Sequence, residues 1–187
     1  MQANTRQIIL KSRPDGPVKG ENFETREVTV PDSEDGDVLV RVIYMSLDPY
    51  MRGRMDAGKS YAANFEVGEP MIARSVGEVV VSKNNAYHAG DLVVGMMDWS
   101  DYAVVPGAKG LRAADPEFAP LPYYLGALGM PGMTAWIGMK EIGKPKEGET
   151  LFVSAASGAV GQVVGQMGRM AGCRVVGCAG SDEKVAY

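Results

Sequence analysis

The stretch LFVSAASGAVGQVVGQMGRMAGCRVVGCAGS constrains the fold of this chain more than any other. Residues 151–154 are apolar and β-prone, residues 159–171 read as a helix, Gly172 offers a stop, and residues 174–179 are apolar again. The order is strand, glycine-rich turn, helix, strand. Such a βαβ unit pairs its strands in parallel and crosses right-handedly in nearly every case. One unit alone leaves sheet edges and an apolar helix face uncovered.

The turn carries Ala156-x-Gly158-x-x-Gly161, the glycine fingerprint of dinucleotide sites with Ala in the first place. A strand before it and a helix and strand after it supply the context that gives the pattern meaning. Gly158 lets backbone approach a diphosphate, and the unpaired N–H groups at the helix start receive the negative charge. A purely structural turn is the competing reading. Gly161, Gly165 and Gly168 fall inside the helix, where each costs about 1 kcal/mol relative to Ala. Their sum is large against a domain stability of about 5–15 kcal/mol. Close helix–strand packing accounts for Gly161, Gly165 extends that stripe, and Gly168 has no assigned role.

The second strand ends in Gly180-Ser181. Dinucleotide sites that take NAD commonly place an acid there for the ribose hydroxyls. Gly180 removes the carboxylate, Ser181 offers a hydroxyl, and Lys184 brings a positive charge, which favours NADP. Ser181 also suits a helix N-cap, with Asp182 and Glu183 in the first turn. Both roles are compatible. Asp182 is the residue that would restore NAD use if it faced the ribose.

Upstream, residues 38–45, 76–81, 92–94 and 102–105 form short β-prone runs separated by Pro, Gly, Asp and Asn, the pattern of a barrel or sandwich. Near Leu121 the composition shifts to a helical segment ending at Gly143. Net charge is −4, with no block of basic residues and no apolar run long enough to cross a bilayer. Neither a nucleic-acid nor a membrane partner is expected. The N-terminus lacks the apolar core of a signal peptide, so the cytoplasm is the expected location. Cys173 and Cys178 lie too far apart along one strand to form a disulfide, and both read as small core residues. The single histidine, His88, reads as a solvated turn residue, and no metal site is expected.

Three further stretches, SLDPYMRGRM (46–55), GMPGMTAW (129–136) and PKEGETLFVSAASGAVGQVVGQ (145–166), resemble the medium-chain dehydrogenase/reductase superfamily. The match is sharpest to its zinc-independent, NADPH-dependent double-bond reductases, the leukotriene B4 dehydrogenase/prostaglandin reductase group with the curcumin and alkenal reductases. The resemblance implies a mixed α and β fold: a GroES-like β-barrel catalytic domain over residues 1–122, then residues 123–187 as a linking helix and the first βαβ unit of an incomplete Rossmann domain. It implies that Gly158, Ala159, Val160 and Gly161 cradle the diphosphate of NADP(H). Gly180, Ser181 and Lys184 lie by the 2′-phosphate, Thr134 near the nicotinamide, and Tyr50 in the substrate pocket as a hydrogen-bond donor. Arg52 and Arg54 read as surface charges or as loop supports. The implied reaction is hydride transfer to the β-carbon of an α,β-unsaturated ketone or aldehyde, with donors aimed at the carbonyl oxygen lowering the barrier.

A homodimer is expected, and members of this group continue for more than a hundred residues beyond the Rossmann start. Weak NADPH affinity is therefore expected of these 187 residues, and so is poor support for residues 145–187 unless further polypeptide covers them. Two other readings stand beside this one. The first is a quinone reductase of the same superfamily. The second is a non-catalytic, self-associating module with a vestigial nucleotide turn.

Overall fold

The computed structural model describes residues 4–59 and 62–187, arranged as two compact units, Met1–Leu121 and Pro122–Tyr187. In the first unit, strands β3 (Val38–Met45), β4 (Ile72–Ser82), β5 (Leu92–Asp98), β6 (Tyr102–Val105) and β7 (Arg112–Ala113) form one antiparallel sheet in the order β6-β3-β4-β5-β7. Period-two alternation puts Val38, Val40, Val93, Ala103 and Val105 on its inner face, packed with Val79 and Met97 into one core. β6 follows β5 after only residues 99–101, yet pairs with β3, so the sheet curls around that core as a barrel does.

Burying a valine contributes about 1.5–3 kcal/mol. An exposed ion pair such as Arg6–Asp101, at 2.8 Å, is screened by solvent and contributes far less. The valine core therefore dominates the stability of this unit.

A second hairpin, β1 (Asn4–Leu10) with β2 (Phe23–Thr29), lies outside the runs that the apolar pattern marks. Its outer strand is largely exposed and reads FETREVT, so charge masks the strand signal. Ile9 and Leu10 from β1 are buried, and Ile8 N–H donates to Trp99 O at 2.8 Å, which ties the hairpin to the β5–β6 turn.

Helix α1 (Tyr50–Arg54) is one turn long and has little intrinsic stability. Arginine clamps hold it. Arg52 donates to Gly16 O at 2.8 Å and pairs with Asp56 at 2.6 Å. Arg54 donates to Ala63 O at 2.6 Å, with its guanidinium 4.1 Å above the Phe65 ring. Arg13 reaches Met55 O at 2.8 Å. These charges are loop supports. Met51 and Met55 pack with Leu10, Phe65, Met71 and Ala73 in a second core cluster, which Tyr50 borders.

From Leu121 onward the expected continuous helix is broken. Leu121–Tyr124 is a short 3-10 turn, Leu128 N–H returns to Tyr123 O at 2.8 Å, and α2 (Met130–Ile137) starts afresh with Pro131 in its first turn. Proline lacks the N–H that a longer helix would need there and suits a helix start. A π turn, Gly138–Gly143, follows, and Lys144 turns the chain at φ 45°. Strands β8 (Thr150–Val153) and β9 (Arg174–Gly177) then pair in parallel, Thr150 opposite Arg174 and Val153 opposite Gly177. Helix α3 (Ala159–Met170) joins them, and α4 (Asp182–Ala186) follows. Cys173 is buried but Cys178 is exposed, because β9 ends before it; Cys178 is therefore not a core residue.

Two carboxylates of the first unit oppose each other in their pH dependence. Asp37 accepts N–H bonds from Gly107 and Glu34, each at 2.9 Å, which hold it below the usual carboxylate range. Burial pushes Asp98 up, and the charge of Glu69 adds to this. The lowered Asp37 contributes stability that is present above the ordinary aspartate range, about pH 4, and lost as pH falls through its folded value. The raised Asp98 favours the fold at low pH and loses that favour as pH rises through its folded value. Asp98→Asn is therefore expected to raise the thermal midpoint at pH 7, and the gain should vanish below about pH 4. Asp37→Ala should lower the midpoint at pH 7, with a deficit that shrinks on acidification. Melting curves recorded across the acidic range check both.

Candidate functional site

The βαβ unit builds its turn from backbone. Ala156 N–H donates to Cys178 O at 2.9 Å and Cys178 N–H to Val153 O at 3.0 Å, so the β8–α3 turn is stitched to the end of β9. Gly158 N–H closes the turn on Ala155 O at 2.9 Å. Ala155 sits in the left-handed region at φ 49°, a conformation that costs a non-glycine residue about 1 kcal/mol. Backbone strain of this kind persists where the surrounding structure enforces it.

Gly161 is buried against this turn. A Cβ there would collide with Ala155 O and lie 2.8 Å from Ala156 Cα. A Cβ on Gly177 would in turn lie 2.6 Å from Ala156 Cβ. The methyl group that Ala156 adds to the fingerprint is thus accommodated by a missing side chain on β9. A Cβ on Gly168 would lie 2.5 Å from Leu151 Cδ2 and 2.9 Å from Val175 Cγ2, so this glycine sets the spacing between helix and sheet. A Cβ on Gly165 would meet only Val175 Cγ1, at an ordinary 3.9 Å. The tight stripe therefore runs through Gly161 and Gly168, and Gly165 is not part of it.

At the start of α3 the N-cap is Gly158, which is extended at φ −77° and ψ 164° and offers no side chain. The first helical bond is Gln162 N–H to Gly158 O at 2.9 Å. The N–H groups of Ala159, Val160 and Gly161 have no acceptor among the described residues. Three adjacent free donors at the positive end of a twelve-residue helix form a cradle for an anion. Gln162 also folds its side chain back, with Nε2 donating to Ser157 O at 2.7 Å.

Ser181 is the N-cap of α4, its hydroxyl oxygen accepting Lys184 N–H at 3.3 Å. The Ser181 O–H remains available to donate. Lys184 makes no ion pair among the described residues. A Cβ on Gly180 would meet nothing within 4 Å, so packing does not require a glycine there. An open groove of about 530 Å³ brings Ser157, Gly161 and Gln162 together with Cys178, Ala179 and Lys184. Gly158, Ala159, Val160, Gly180 and Ser181 do not line it.

Thr134 lies in α2, which packs against α3, and its hydroxyl donates to Met130 O at 2.8 Å. Tyr50 belongs to the first unit and opens α1, half-buried against the Met51–Met55 cluster. Among the described residues no group of three or more His, Cys, Asp or Glu side chains is placed to hold a metal. No helix there is long and apolar enough to cross a membrane. Gln162, Gly168 and Gly177 were not apparent as site-building residues from the residue pattern. The fingerprint spacing marks only the glycines of the turn. A long amide one position after Gly161 was the available signal for Gln162.

A curled antiparallel sheet followed by a parallel βαβ unit with a glycine turn is the architecture of a dehydrogenase-type oxidoreductase. Residues 6–113 match the family model for the N-terminal domain of oxidoreductase, and the chain belongs to that family. It is 47% identical over 182 residues to an NADPH-dependent curcumin reductase of Escherichia coli, covering 97% of this chain and 52% of the relative. It is 46% identical over 189 residues to a 2-alkenal reductase (NADP(+)-dependent) of Nicotiana tabacum, covering 98% of this chain and 55% of that one. The crystal structure of CurA from Vibrio vulnificus in complex with NADPH superimposes with a TM-score of 0.87 at 45% identity, covering 95% of this chain and 52% of CurA. The chain spans about half the length of the relatives it matches.

The glycine spacing predicts opposite outcomes for two substitutions one turn apart. Gly165→Ala is expected to stabilise the second unit by about 1 kcal/mol through helix propensity alone. Gly161→Ala should destabilise it by about 1–3 kcal/mol, because the added methyl meets backbone that cannot yield. Urea denaturation followed by the fluorescence of Trp136 separates the two.

Proposed function

We propose that this chain forms the greater part of the catalytic domain and the opening of the Rossmann domain of an NADPH-dependent reductase. The reductase acts on the C=C bond of α,β-unsaturated ketones or aldehydes. The observation that carries this reading is the backbone cradle at the start of α3: three free N–H groups, presented where Gly161 lets the turn and helix meet without a Cβ. The residues fit the cofactor. Ala159, Val160 and Gly161 would donate to the diphosphate, with Gly158 keeping the approach open. Ser181 would donate its free O–H to the 2′-phosphate, and Lys184 would supply the charge. Thr134 would flank the nicotinamide through its hydroxyl oxygen, whose proton is engaged by Met130 O.

The chemistry supplied by the bound cofactor is a hydride for the β-carbon of the enone. The chain's own part is to orient the substrate and to meet the negative charge that grows on its carbonyl oxygen. Tyr50 is the proposed donor to that oxygen, carried on a helix that Arg13, Arg52 and Arg54 hold in place. NADP preference is supported by the relatives named above and by Lys184 of α4, a cation without an ion-pair partner among the described residues. The reading extends to a homodimer in the cytoplasm. The exposed apolar side chains Trp136, Met133 and Phe152 support burial of the second unit against further polypeptide.

Calorimetric titration with NADPH and NADH tests the cofactor part. The chain is expected to prefer NADPH, and Lys184→Ala should shrink that preference by about tenfold, the size of one charge-assisted contact. Loss of NADPH absorbance with a simple enone, in a version extended to the length of the relatives, tests the reaction. Oxidation with quinones but not enones would replace the substrate class. No oxidation with either would leave a binding module.

A further inference from the structure

We propose that Gln162 is the positioning residue of the diphosphate cradle. It locks the Ser157–Gly158 peptide so that the amides behind it stay turned outward; this rests on the dinucleotide reading given above. Gln162 holds two consecutive carbonyls. Its side-chain Nε2 donates to Ser157 O at 2.7 Å, and its backbone N–H donates to Gly158 O at 2.9 Å.

A trans peptide places its C=O and N–H on opposite sides of one rigid plane. The Ser157–Gly158 plane is therefore pinned at both ends, by Gln162 at the carbonyl and by Ala155 O at the N–H, 2.9 Å away. The next plane is pinned at Gly158 O, which directs the Ala159 N–H away from the helix. Glycine at 158 offers little resistance to rotation of these planes, and Ala155 at φ 49° adds strain beside them. The Gln162 amide opposes both. It also engages the lone pair of Ser157 O, which would otherwise lie unpaired beside the place where phosphate charge collects.

The side chain must be a neutral donor. A glutamate would set an acceptor against an acceptor and add negative charge at the cradle. Gln166 repeats the bond one turn later, Nε2 donating to Gln162 O at 3.1 Å, without touching the turn. It provides an internal control.

Two measurements test the clamp. The first is amide hydrogen exchange of Gly158 by NMR in the chain without ligand. Gln162→Ala should speed exchange about fivefold or more. Gln166→Ala should leave it within about twofold. The second compares dissociation constants for NADPH and for adenosine 2′-monophosphate, which carries the 2′-phosphate but no diphosphate. Gln162→Ala should weaken NADPH by about five- to tenfold, and Gln162→Glu by more, with adenosine 2′-monophosphate unchanged. Lys184→Ala should weaken both ligands. Unchanged Gly158 exchange in Gln162→Ala overturns the clamp. So does equal weakening of the two ligands, which marks a general loss of structure. Failure of NADPH to bind the unaltered chain overturns the dinucleotide reading, and the exchange measurement still decides the clamp separately.

Discussion

The close pass of α3 over its own turn, made without a side chain at Gly161, is the contact on which the rest of the second unit depends. Three stretches of backbone meet around Ala156: the turn itself, the first turn of α3, and the end of β9 at Gly177. Helix propensity alone would reject glycine at 161 and 168, at about 1 kcal/mol each. Packing selects it, because a methyl at either place would enter the turn or the side chains of Leu151 and Val175. The N–H groups of residues 159–161, at the start of the same helix, have no acceptor among the described residues. The glycine that packing demands thus sits in the helix start that the proposed diphosphate would use.

The first unit relies on a different principle. Its order comes from a valine core at the centre of a curled sheet, with polar clamps at the rim. Asp37 ties the segment before β3 to the turn after β6, and Arg6–Asp101 fastens the β1–β2 hairpin to the turn before β6, at its other end. Arg13, Arg52 and Arg54 fasten the loops around α1. None of these arginines needs a ligand to explain it. Their effect is to give a five-residue helix, and Tyr50 at its head, a fixed place that its own length could not provide.

Much of this was legible in the residues. β3 and β6 coincide with their apolar runs, and the βαβ unit with its glycine turn was readable because strand, turn, helix and strand agreed with one another. The features that escaped were those where local pattern and tertiary role diverge. The β1–β2 hairpin is stabilised by pairing and by the buried apolar side chains of Ile9 and Leu10 in β1, not by alternation in FETREVT. The segment from Leu121 to Gly143 has helical composition throughout, yet Pro131 and the return bond at Tyr123 divide it. Gly165 and Gly168 are equivalent in sequence, and only the positions of Leu151 and Val175 distinguish them. Gln162 resembles any surface amide until its partner is identified as a carbonyl of the turn.

The two ends of the proposed cofactor site also differ in how they are built, which bears on how specificity can change. The diphosphate end is made of backbone amides, and side-chain substitutions there act mainly by blocking or loosening them. The far end is made of side chains. Ser181 serves α4 as its cap and keeps a proton to donate, while Asp182 and Glu183 suit the positive start of that helix. Helix α4 is only five residues long, so Lys184 falls in its last turn, and no described carboxylate pairs with it. An unpaired cation beside the Ser181 cap is what the proposed 2′-phosphate contact would use. On the proposed reading, discrimination between the two nicotinamide cofactors would rest on the charge of Lys184, which makes no described ion pair and lies apart from the backbone cradle.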